Sequence, residues 1–223
     1  MSDVLKLEDL PELYEAVRSV FAEKRDELCE MDANMGDGDL GITMNKGYDV
    51  LPELIRANMV EGDIPRCIMK AGMKMGSVVP STMGTLMSSG IMSAGKALKD
   101  KDRIVPSDIP LYVRGFADGI VKRGKASPGD RTILDAIDAA ASACERFTAL
   151  HPAASFVEVM DAALDGAKEG VEATKNMLPR YGKAAVFADK AKGVADQGAV
   201  AGYYMLLGMK RYFEKREERG LER

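Results

Sequence analysis

Three aspartates set around a run of glycines are the residues best equipped for chemistry. Asp32 falls in the closing turn of an expected helix, and Asp37 and Asp39 lie in the loop after it, within Gly36-Asp37-Gly38-Asp39-Leu40-Gly41. Alternate positions of an extended loop project to one side, so Asp37 and Asp39 can converge, and a turn at Gly36 can bring Asp32 beside them. Carboxylates crowded into a low-dielectric pocket raise one another's pKa unless they share a cation. All-oxygen donors favour Mg²⁺ or Ca²⁺ over zinc. An EF-hand is excluded: its loop needs an acid or amide at the fifth position and a glutamate at the twelfth, and counting from Asp32 gives Gly36 and Thr43, from Asp37 Gly41 and Tyr48. Gly41, Ile42 and Thr43 begin the next helix, whose first amides favour an anion. Spacing alone leaves two readings open, a Mg²⁺ site with room for substrate phosphates and a solvated acidic turn.

Two glycine patterns imitate nucleotide motifs. The same acidic loop has the GxGxxG form, but a helix precedes it where a dinucleotide fold needs a strand, and its carboxylates repel a pyrophosphate. Gly90-Ile91-Met92-Ser93-Ala94-Gly95-Lys96-Ala97 nearly matches a P-loop, but Ala97 replaces the hydroxyl that holds magnesium. Its small residues suit close helix packing instead. His151, the one histidine, lies in Leu150-His151-Pro152, which reads as an exposed loop. Serine–histidine triads and histidine zinc sites are therefore excluded. Cys29, Cys67 and Cys144 lack CxxC spacing and read as buried thiols.

The elements that position these residues read as helices throughout. Leu13, Val17, Val20, Phe21, Leu28 and Met31 predict one long first helix, with Asp9 as its cap and Glu12 three residues on. Met44, Tyr48, Leu51 and Ile55 predict the next, and Asp63-Ile64-Pro65 starts another. Further helices are expected over 83–98, from a Ser107 cap to about 122, over 132–147 and from the Ser155–Glu158 capping box to about 177. A last helix over 198–217 ends in a mixed-charge tail expected to be solvated and frayed. Only 103–113 is rich in β-branched residues, and Pro106 and Pro110 interrupt it. The expectation is an all-α fold in a single domain over 1–223. A net charge of −4 gives no case for nucleic acid. No apolar run nears the roughly 20 residues needed to span a bilayer, so a soluble, cytoplasmic protein without a membrane partner is expected.

The string Gly36 to Gly47 resembles the signature of the dihydroxyacetone kinase L subunit, the nucleotide-binding DAK2 domain. Arg123-Gly124-Lys125-Ala126-Ser127-Pro128-Gly129-Asp130-Arg131-Thr132 is similar to that family's RGKA-x-PGDKT segment. Gly182-Lys183-Ala184-Ala185 and Gly193-Val194-Ala195-Asp196-Gln197-Gly198-Ala199 resemble its GRAS and GH-x-DPGA segments, in the family's order. The resemblance implies an eight-helix antiparallel barrel with ADP or ATP at one end, its phosphates held through a pair of Mg²⁺ ions on Asp32, Asp37 and Asp39. It places nucleotide contacts at Leu40, Gly41, Ile42, Thr43, Ser81, Thr82, Gly124, Ile133, Lys183, Asp196, Gln197 and Gly198. No catalytic side chain of the chain's own is implied.

The resemblance also departs from the family pattern. Leu40 stands where the family usually has histidine, Lys183 replaces arginine, Gln197 replaces proline and Ala185 replaces serine, while the 78–84 loop is shorter. Asp130-Arg131-Thr132 is expected to cap a helix, with Thr132 a further candidate to face the nucleotide, and Arg180 is expected either solvated or beside phosphate. The resemblance implies an L subunit without a sugar site of its own, which delivers a phosphoryl group to a sugar held by a separate K-type subunit, so phosphoryl transfer to dihydroxyacetone or a related short sugar, in glycerol metabolism, is the expected function. An M-type phosphotransferase-system donor and a homodimer are further expected partners. The rival expectation is a non-catalytic nucleotide-sensing module that docks on a regulator or partner enzyme.

Overall fold

The computed structural model describes residues 4–59, 63–182, 185–186 and 191–221. The helical spacing of apolar residues is realised in α1 (Leu10–Glu23), α2 (Arg25–Ala33), α3 (Leu40–Arg56), α4 (Ile64–Val78), α5 (Thr82–Ala97), α6 (Ile109–Gly124), α7 (Ile133–Leu150), α8 (Phe156–Thr174) and α9 (Gln197–Leu221). Among the described residues the only extended pairing is a single bridge between Leu5 and Ile104.

Each helix has one apolar face, and no face can be buried except against its neighbours. The solution is a ring. α1 packs on α3, then α3 on α4, α4 on α5, α5 on α6, α6 on α7, α7 on α8, α8 on α9, and α9 returns to α1. These eight helices form an antiparallel barrel, while α2 packs against α3 and α9. One continuous core fills it, including Phe21 stacked on Tyr48 with ring centres 4.5 Å apart. Burial of each large apolar side chain is worth about 1.5–3 kcal/mol, so closure of the ring outweighs any helix's own propensity. At Gly90 an added Cβ would lie 2.8 Å from the Phe116 ring, and at Gly95 3.0 Å from the Pro65 carbonyl oxygen. The P-loop look-alike is thus a helix-packing surface within α5.

Capping follows the sequence at Thr132 and Ser155, whose side chains accept the Leu134 and Glu158 amides, and at the helix start marked by Pro65 the Asp63 side chain accepts the Arg66 amide. Elsewhere the local pattern misleads. The expected first helix is two, because the backbone breaks at Lys24 (φ −97°, ψ 6°) although the apolar spacing continues across it. Asp9 precedes α1 but its carboxylate accepts the Lys6 amide at 2.8 Å, closing a 3₁₀ turn over Leu7–Asp9. Ser107 likewise sits inside a 3₁₀ turn, Pro106–Asp108, where the Asp108 carboxylate accepts the Val105 amide at 3.0 Å. The charged tail remains helical to Leu221, since Arg211 and Arg219 pair with Glu23 (2.7 Å) and Glu12 (3.0 Å) on α1. No helix among the described residues is long and apolar enough to cross a membrane.

Because neighbouring helices of the ring alternate in direction, α3, α5, α7 and α9 all begin at the same end. That end carries the candidate site.

Candidate functional site

A cavity of about 420 Å³ opens where those four helices begin. Its wall includes Leu40 and Thr43 of α3, Ser81 and Thr82 at the start of α5, Thr132 and Ile133 at the start of α7, and Gln197 and Gly198 of α9. A helix start presents amides without intrahelical partners and a partial positive charge. Four such ends around one cavity make it favourable for a multiply charged anion. Ser81 and Thr132 also hold their helices in place, accepting the Gly84 amide at 3.0 Å and the Leu134 amide at 3.1 Å.

The opposite charge lies in the same cavity. Asp32, Asp37 and Asp39 each offer an oxygen within 4.8 Å of the others. Asp32, buried at the end of α2, is fixed in place. Its Oδ2 accepts the Asp39 and Leu40 amides at 3.1 and 3.4 Å, and its Oδ1 accepts the Gln197 Nε2–H at 3.2 Å. Two glycines make this possible. A Cβ at Gly36 would fall 2.3 Å from Asp32 Oδ1, and one at Gly41 1.9 Å from the Arg25 carbonyl oxygen, where α3 starts tight against α2. Carboxylates among anion-favouring helix ends are electrostatically consistent when a cation joins them to the anion. The all-oxygen donor set fits Mg²⁺ or Ca²⁺.

Of the residues expected at a nucleotide, Leu40, Thr43, Ser81, Thr82, Ile133, Asp196, Gln197 and Gly198 line this cavity with the three aspartates. Gly124 lines an adjoining hollow of about 810 Å³ that shares Ser81, Thr82, Leu86, Thr132, Ile133, Tyr181 and Gly182 with it. Gly41 is instead buried against Arg25, and Ile42 is 58% exposed on the outer side of α3. Lys183 lies outside the described residues. Arg180 points largely to solvent, with Nη1 3.2 Å from the Asp130 carboxylate. His151 is exposed, its ring tilted against Phe147. Cys67 and Cys144 are buried and Cys29 is half-buried beside Gly41.

Several wall residues had no clear signal in the sequence. Met83, Leu86 and Tyr181 supply an apolar side, and Tyr181 is tethered by donating its hydroxyl to the Lys125 carbonyl at 3.0 Å. Arg131 is 1% exposed and sits in the left-handed region at φ 59°. Its guanidinium donates to the Val194 carbonyl at 3.0 Å and lies 3.6 Å from Asp196. Arg131 therefore joins the turn before α7 to the segment before α9. Burial pushes the Asp196 carboxyl up to about 6, against the opposing pull of the Ala199 amide and Arg131.

Fold and site together define an all-α barrel with an acid-lined cavity ringed by helix starts. Residues 34–211 match the DAK2 domain, and the chain belongs to that family. It is 31% identical over 189 residues to D-erythrulose kinase of Mycolicibacterium smegmatis, an alignment covering 84% of this chain and 32% of that protein. It is 27% identical over 191 residues to the ADP-binding subunit DhaL of the PEP-dependent dihydroxyacetone kinase of Escherichia coli, covering 84% of this chain and 88% of that subunit. The dihydroxyacetone kinase of C. freundii superposes with a TM-score of 0.67 at 22% identity, over 90% of this chain and 34% of that one. The same kinase in complex with AMP-PNP and Mg²⁺ gives a TM-score of 0.64 at 23% identity, over 90% and 33%. At these identities the structural likeness shows the fold alone. The chain spans about a third of the erythrulose kinase and of the C. freundii kinase, and most of DhaL.

Proposed function

We propose that this chain is the nucleotide-binding phosphotransferase subunit of a dihydroxyacetone-kinase-like system, one DAK2-type domain acting with a separate K-type subunit that holds dihydroxyacetone or a related short sugar. The observation that carries this reading is the meeting of three carboxylates with four helix starts in one cavity. Asp32, Asp37 and Asp39 would hold Mg²⁺, expected as a pair of ions, which when bound supplies charge neutralisation for the phosphates of ADP or ATP. Amides in the first turns of α5, α7 and α9 that Ser81, Thr132 and Asp196 do not already occupy would orient the phosphate oxygens. Met83, Leu86, Ile133 and Tyr181 give the base and ribose an apolar wall that excludes water. Phosphoryl transfer asks for this positioning and electrostatic preorganisation more than for a nucleophile from the protein, which agrees with the exposed position of His151.

DhaL by name binds ADP and serves a PEP-dependent kinase, and this chain aligns over most of its length. That supports a bound nucleotide recharged by an M-type phosphoryl carrier, with free ATP as the other donor. In calorimetry, Asp37→Ala should abolish Mg²⁺-dependent ADP or ATP binding while circular dichroism stays unchanged; parental affinity in this variant refutes the reading. Leu40, which lines the cavity where the family usually has histidine, favours a second reading as a nucleotide sensor. Mixing the chain with a K-type subunit, nucleotide and short ketoses separates the two, since any phosphorylated sugar excludes a purely sensory role.

A further inference from the structure

Gln197 combines two properties that the fold does not require. It is 9% exposed at the first position of α9, and its amide head lies at the carboxylate cluster, with Nε2–H donated to Asp32 Oδ1 at 3.2 Å. Its other amide atom, Oε1, is buried without a hydrogen-bond partner among the described residues. Buried carbonyl oxygens are nearly always satisfied. This one needs a donor, and the cavity next to it is wide enough for water. Helix geometry does not call for this side chain either, since the carboxylate of Asp196 already accepts the Ala199 amide at 2.8 Å at the start of α9.

We infer that Gln197 is a positioning residue for the divalent cation: it orients Asp32 through Nε2 and accepts, through Oε1, a hydrogen bond from a water carried by the ion. The inference rests on the cation site proposed above. Outer-shell groups that orient ligands typically change metal affinity by about 10–100-fold when removed. The water contact adds a preference between ions. Mg²⁺ dehydrates reluctantly and keeps several waters, whereas Ca²⁺ takes more oxygen ligands directly in flexible geometry. A residue that grips a metal-bound water should therefore favour Mg²⁺.

The test uses the full chain with ADP, titrated calorimetrically with Mg²⁺ and separately with Ca²⁺. Gln197→Met keeps length and helix propensity while removing both polar atoms. It should weaken Mg²⁺ binding by about 10–100-fold, weaken Ca²⁺ binding less, and leave the metal-free melting temperature unchanged. Gln197→Glu retains an acceptor but loses the donor, and so keeps the question answerable if the methionine variant folds poorly: measured against the parent it should keep the Mg²⁺-over-Ca²⁺ preference, and loss of that preference contradicts the water contact. In the Asp32→Asn background, Gln197→Met should add little further loss. Parental Mg²⁺ affinity and ion preference in Gln197→Met overturn the inference and leave the cation site standing. If the parent chain binds neither ion, the cation site itself fails, and the inference with it.

Discussion

Asp196 shows how a single residue in the cavity sets a pH dependence. Its folded-state value near 6 lies above the ordinary 3.8, because burial disfavours the charged form. Between these values the folded chain keeps a proton that the unfolded chain releases, so this group's stabilisation is full below about pH 4 and is lost as pH rises through 6. Asp196→Asn cannot ionise. Relative to the parent it should gain roughly 2–3 kcal/mol between pH 4 and pH 7, at about 1.4 kcal/mol per unit. Urea denaturation at both pH values checks this, and an unchanged difference between the two proteins contradicts it. Gly36→Ala addresses the acidic trio directly. The added Cβ must displace the Asp32 carboxylate, so Mg²⁺-dependent ADP affinity should fall by at least about tenfold with little change in melting temperature. The trio was legible because alternate positions around a glycine turn are close in any compact loop. Arg131 was not. Its burial depends on a left-handed backbone and on a carbonyl at Val194, and no local pattern encodes either.

At the scale of elements, the site is built from where helices begin. Leu40, Thr82, Ile133 and Gln197 are the first residues of four alternate helices, so the cavity's polarity comes from peptide dipoles as much as from side chains. Gly41 is the tightest joint in this arrangement. Gly41→Ala would press a methyl group into the Arg25 backbone and tilt α3 away from α2, loosening the Asp39 and Leu40 amides from Asp32. A loss of about 1–3 kcal/mol in urea denaturation is expected, together with weaker nucleotide binding by calorimetry. Helix faces and the Thr132 and Ser155 caps could be read from spacing, since both are local. The break at Lys24 could not, because Leu28 keeps the apolar rhythm after the backbone has turned. The same holds for the 3₁₀ turns before α1 and α6, where Asp9 and Asp108 bond backward to residues three positions earlier.

For the molecule as a whole, the seam between α1 and α9 closes the barrel. Gly208 of α9 lies so near Val17 that an added Cβ would sit 2.5 Å from its Cα. Gly208→Val should therefore cost about 1–3 kcal/mol in equilibrium unfolding, and circular dichroism and tyrosine fluorescence should still report one coincident transition, since the helices share one core. The start of α9 also meets the end of α2, bringing Gln197 to Asp32, residues 165 positions apart along the chain. A ribosome building this polypeptide must therefore release α9 before the pocket exists. A nascent chain that stops before Gln197 lacks one of the cavity's four helix starts and the amide that holds Asp32 Oδ1.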